Sequence, residues 1–131
     1  MVLSLTLNVA MMHGLGTTHL YYVPFDVETF LPVTRNLLLQ KSKVEKATSK
    51  DIMAIKKELE RVMRPQEGLK LNEKRIRLCI KYGEKTIWSD ADGRVEFGKN
   101  TFIIEKLEWD KFDKFIRRKI NYSFIPPKKK S

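Results

Sequence analysis

The chain has 131 residues, 42% of them hydrophobic and 32% charged, with 26 Lys and Arg against 16 Asp and Glu for a net charge of +10. That balance fits one folded domain with a heavily charged surface and excludes a disordered polyelectrolyte. A single cysteine excludes an internal disulfide and a Cys-cluster zinc site, and no run approaches the roughly 18–20 apolar residues of a membrane span.

At the N-terminus Leu3, Leu5, Leu7 and Val9 alternate with Ser4, Thr6 and Asn8. Period two predicts a half-buried strand. The run has no preceding Lys or Arg and no Ala-x-Ala site, so a cytoplasmic location is expected; export, with residues 1–16 acting as a signal, is the alternative. A glycine turn at Gly14 and Gly16 leads into a second strand, His19 to Val23, stopped by Pro24. Residues 25–32 read as an irregular connection. Thr34 is then placed to cap a short helix carrying Leu37, Leu38 and Leu39.

The clearest helix follows. Thr48 with Asp51 resembles a capping box, and Ile52, Ile55, Leu59, Val62 and Met63 make one apolar face before Pro65 and Gly68. Residues 75–105 read as an antiparallel meander. Ile76, Leu78, Ile80 and Tyr82 are expected on one face of its first strand, with Arg75, Arg77, Cys79 and Lys81 on the other. Asp92-Gly93 predicts a hairpin with a type I′ turn. A closing helix from about Glu108 offers Trp109, Phe112, Ile116 and Ile120 to the core, and these are expected to meet Ile76, Leu78 and Ile80. Its early Asp110 and Asp113 and late Arg117, Arg118 and Lys119 suit the helix dipole. Pro126 and Pro127 introduce a basic tail, 126–131, expected to be disordered.

Catalytic motifs are missing from the sequence. There is no Gly-x-Ser-x-Gly elbow and no Walker-type loop, and Gly14-Leu15-Gly16 lacks the third glycine of a dinucleotide fingerprint. Asp90-Ala91-Asp92-Gly93, aligned as a calcium loop, would put Trp88 and Lys99 at ligand positions. His13 and His19 have no nearby Asp, Glu or Cys to complete a metal set. No enzyme, cofactor or metal is expected.

The charge is uneven: residues 106–131 carry +6 of the +10. A concentrated positive field points to an anionic partner. The candidate binding residues are Arg75, Arg77 and Lys81 on a strand, Arg117, Arg118 and Lys119 on the last helix, and Lys128, Lys129 and Lys130 in the tail. Trp88 and Tyr82 are the aromatic side chains available as a platform for bases, with Tyr82 better placed in the core.

Leu20 to Val23, the Asp92-Gly93 turn and the helix from Trp109 to Ile120 give a build, over about residues 19–121, that resembles small bacterial α+β proteins, among them immunity partners of toxins. The resemblance implies a non-enzymatic, toxin-neutralising protein, although immunity proteins are commonly acidic and this chain is basic. The expected fold is a single α+β domain over 1–125, ordered β-β-α-α-β-β-β-β-α, with helices on one face of an antiparallel sheet. The expected function is protein binding, with an acidic partner; the alternative is a nucleic-acid-associated protein that binds the phosphate backbone. The oligomeric state is left open.

Overall fold

The computed structural model describes residues 18–27, 29 and 31–121. The strand expected at residues 3–9, the alternative signal segment, His13, the glycine turn and the basic tail lie outside these residues. Within them the chain is an α+β fold: β1 (His19–Tyr22), α1 (Arg35–Lys41), α2 (Ser49–Val62), β2 (Arg64–Pro65), β3 (Ile76–Tyr82), β4 (Lys85–Asp90), β5 (Arg94–Phe97), β6 (Asn100–Ile103) and α3 (Lys106–Lys119). The six strands form one antiparallel sheet in the order β1-β3-β4-β5-β6-β2.

Local chemistry places the elements. Thr34 Oγ1 accepts from Leu37 N at 3.2 Å and Thr48 Oγ1 from Asp51 N at 3.1 Å, so both caps form where the sequence puts them. The apolar faces of α2 and α3 lie over one face of the sheet. Ile52, Ile55, Leu59, Phe112, Ile116 and Ile120 form a single core with Leu20, Tyr22, Leu78, Ile80, Ile87 and Val95. Short α1 lies over the other face, where Leu38 packs with Val33, Leu71, Ile76 and Cys79.

The expected alternation of β3 fails at its start. Ile76 pairs with Asp90 and Leu78 with Ser89, so the register shifts between them in a β-bulge. The slip turns Ile76 onto the α1 side, away from α3, and corrects the contact expected between them. Trp109 is half-buried and stacks on Phe25 with centroids 5.9 Å apart, at the margin of the core.

The Asp-Gly hairpin also differs in type. Gly93 has φ +81°, but Asp92 is not among the residues with positive φ, so the turn is not type I′. Gly93 N donates to Asp90 O at 3.3 Å, closing a three-residue loop that ends on a left-handed glycine. The buried Asp90 carboxylate holds it, accepting from Asn72 N at 2.7 Å and from Asp92 N and Arg94 N at 3.0 Å each. It is a hairpin clamp. Among the described residues no cluster of three His, Cys, Asp or Glu could hold a metal ion.

Candidate functional site

The structure separates the basic residues that the sequence groups. Arg75 is exposed and its Nη1 lies 3.3 Å from Asp92 Oδ1. Arg77 is 2% exposed and belongs to the interior. Its Nη1 donates to Ile76 O at 3.2 Å and its Nη2 to Val27 O at 3.0 Å, while its Nε has no hydrogen-bond partner. Burial, and then the neighbouring charge of Arg75, pushes its guanidinium pKa down. A side chain so enclosed has no access to a phosphate backbone. The segment after β1 covers it, with Val23 N donating to Arg77 O at 2.9 Å and Val27 O accepting from its guanidinium, and Arg77 is no longer a candidate binding residue. Lys81 is half-buried on β3, its backbone opposite His19 of β1, and it makes no ion pair among the described residues.

Arg117 is also engaged. Its Nη2 lies 3.1 Å from Asp26 Oδ1 and its Nε 3.3 Å from Asp113 Oδ2. Asp113 is 3% exposed and accepts from Tyr22 Oη and, at 3.0 Å, from Phe25 N. Burial pushes the Asp113 carboxyl above the usual aspartate range, against those hydrogen bonds and the Arg117 charge. The same burial and the hydrogen bond to Asp113 raise the Tyr22 phenol, which favours its neutral form. The cluster locks α3 to β1 and the segment after it. Trp88 is occupied too: the Arg35 guanidinium lies 5.1 Å from its ring centroid while bridging Glu73 and Glu96 at 2.7 Å each. That leaves this ring face no room for a stacked base.

Arg118 and Lys119 are the fully exposed candidates on α3, and neither makes an ion pair among the described residues. They belong to a surface that sequence reasoning missed, the outer groove between α2 and α3. Val62, Glu58 and Arg61 share one hollow of about 260 Å³ with Glu108, Lys111, Phe112, Phe115 and Arg118. A second, of about 560 Å³, joins Ala54, Lys57, Glu60 and Arg61 to Phe115 and Lys119. The end of α2 therefore meets the start of α3, and the two helices run in opposite directions.

Charge on this groove is lopsided. Glu58 pairs with Arg61, and Glu60 pairs with Lys56 at 3.0 Å. Lys57, Lys111, Arg118 and Lys119 have no ion pair among the described residues, against Glu108 as the one carboxylate of the groove outside a pair. Half-buried Phe115 forms an apolar floor, with Lys119 Nζ 5.8 Å from its ring centroid. The signal for this site was split between two helices that are 43 residues apart at their nearest described ends. Only their packing reveals it.

Cys79 is fully buried, and burial pushes its thiol pKa up to about 12, which favours the protonated form at neutral pH. No helix among the described residues is long and apolar enough to cross a membrane. No protein-family model matches the chain, and neither does any curated protein or solved structure.

Proposed function

We propose that the protein is a non-enzymatic binding module whose α2–α3 groove takes an acidic protein partner. The observation that carries this reading is the set of four cations outside ion pairs, Lys57, Lys111, Arg118 and Lys119, arranged around the apolar floor at Phe115. An apolar centre with a polar rim is the usual build of a protein interface, and a rim of one sign favours a partner of the other. A phosphate-backbone reader needs a run of cations uninterrupted by carboxylates. Here Arg75, Arg77 and Arg117 are paired or buried, and Glu58, Glu60 and Glu108 interrupt the groove. Toxin neutralisation is one service such a module would perform, against a toxin with an acidic contact surface.

The test is site-specific photo-crosslinking in cells, with the reactive group at Lys111 and, as control, at exposed Glu84. A protein adduct formed from position 111 and not from 84, and lost when Lys57 and Arg118 are reversed to Glu, supports the proposal. Adducts to nucleic acid, or equal adducts from both positions, contradict it.

A further inference from the structure

We infer that the partner docks as an acidic amphipathic helix laid along the α2–α3 groove, not as an added strand. This inference rests on the binding reading above and adds the mode of recognition. Two common ways for a protein to receive a peptide segment are strand addition at a sheet edge and a helix in a groove. The sheet closes the first.

On one side, the outer edge of β1 is already used: Tyr22 N donates to Ser42 O at 3.0 Å, Val44 N to Leu20 O at 2.8 Å, and Tyr21 bridges Lys43. On the other, the edge strand β2 is only Arg64–Pro65, and proline has no N–H to offer. Next to it Thr101 O accepts from Gln66 N at 3.0 Å. Neither described edge presents a free ladder of useful length.

The groove suits a helix. The lining runs from Ala54 to Val62 on α2 and from Glu108 to Lys119 on α3, so the trough is about 12–17 Å long, two to three turns of a helix. A third helix would set apolar residues spaced i, i+3 or i+4, and i+7 on Ala54 and Phe115. Its flanking carboxylates would meet Lys57 on the α2 side and Lys111, Arg118 and Lys119 on the α3 side. Charge complementarity therefore selects an acidic helix over a basic one.

The probe is a synthetic peptide of about 18 residues, with leucines on one helical face and glutamates beside them, compared with a second peptide of identical charge broken by central prolines. Both are titrated against the labelled protein by anisotropy and by amide chemical shifts. The helical peptide should bind about tenfold more tightly than the proline peptide and move the signals of Ala54 and Phe115. Reversing exposed Lys57 and Arg118 to Glu should abolish that binding while the amide spectrum stays folded. Equal binding of the two peptides, lost on charge reversal, would overturn the helical mode and leave the acidic-partner reading standing. Shifts centred on β1 or β2 would overturn it in favour of strand addition. Binding by neither peptide, with an oligonucleotide bound instead, would overturn both readings.

Discussion

Tyr22 on β1 donates its hydroxyl to the buried carboxylate of Asp113 on α3, joining residues 91 positions apart. This contact and the Arg117–Asp26 pair beside it fix the last helix against the first described strand. They thereby fix one wall of the α2–α3 groove. Tyr22→Phe should cost about 1–2 kcal/mol, because Asp113 keeps Phe25 N and Arg117. Asp113→Ala should cost about 2–3 kcal/mol, since the buried Tyr22 hydroxyl and Phe25 N lose their carboxylate acceptor together. Urea denaturation of the two variants measures the order, and equal losses would contradict it.

The same carboxyl predicts a pH dependence. Burial raises the Asp113 pKa, so the folded state holds this proton more tightly than the unfolded chain does. The stability it adds is complete below the ordinary aspartate value of about 3.9 and is lost as pH rises through the raised folded value. Relative to Asp113→Asn, the wild-type chain should therefore be favoured more at about pH 3.5 than at about pH 7. Paired denaturation curves at the two pH values check the sign.

Glycine positions offer a sharper contrast. A Cβ on Gly93 would stand 2.5 Å from Ile104 O, at φ +81°, whereas Gly83, at φ +58°, has nothing within 4 Å. Gly83→Ala should cost only the left-handed backbone penalty of about 1–2 kcal/mol. Gly93→Ala should cost clearly more, because the hairpin must move away from the Ile104 backbone as well. Thermal melts of both variants give the comparison.

Much of the fold is legible in the chain. The Thr34 and Thr48 caps, the apolar stripes of α2 and α3 and the glycine turns each rest on interactions between near neighbours in sequence. The β3 bulge does not. Arg75 to Tyr82 alternates without a break, and the slip at Ile76 is set by how β3 meets Asp90 across the ladder. Arg77 is buried under the segment after β1, a long-range contact that takes a candidate phosphate contact out of reach. Two-residue β2 is too short to show a period, and its proline argues against any strand. The groove combines side chains from two separate helices, so no single window of sequence contains it.

The core helix face predicts a graded series. Phe112, 1% exposed, should cost about 3–5 kcal/mol when changed to Ala, as a large aromatic in a packed core does. Trp109→Ala should cost less, about 1–2 kcal/mol, because the ring is half-buried and its loss is chiefly the stacking on Phe25. A Trp109 loss equal to that of Phe112 would mean that its ring lies inside the core.

Cys79 should be silent in the folded protein. With its thiol fully buried and its pKa pushed up to about 12, it should resist a thiol reagent at neutral pH and react only on unfolding. Rapid labelling without denaturant would contradict this.

The most direct test of the binding account is a parallel anisotropy titration at about 50 mM salt, where phosphate-driven binding is strong. The probes are a labelled acidic amphipathic peptide, a single-stranded oligonucleotide and a duplex. The account predicts that the peptide binds, that reversing Lys111 and Arg118 to Glu weakens it by about tenfold or more, and that neither oligonucleotide competes. An oligonucleotide that binds more tightly than the peptide, or peptide binding indifferent to the reversed charges, would contradict it.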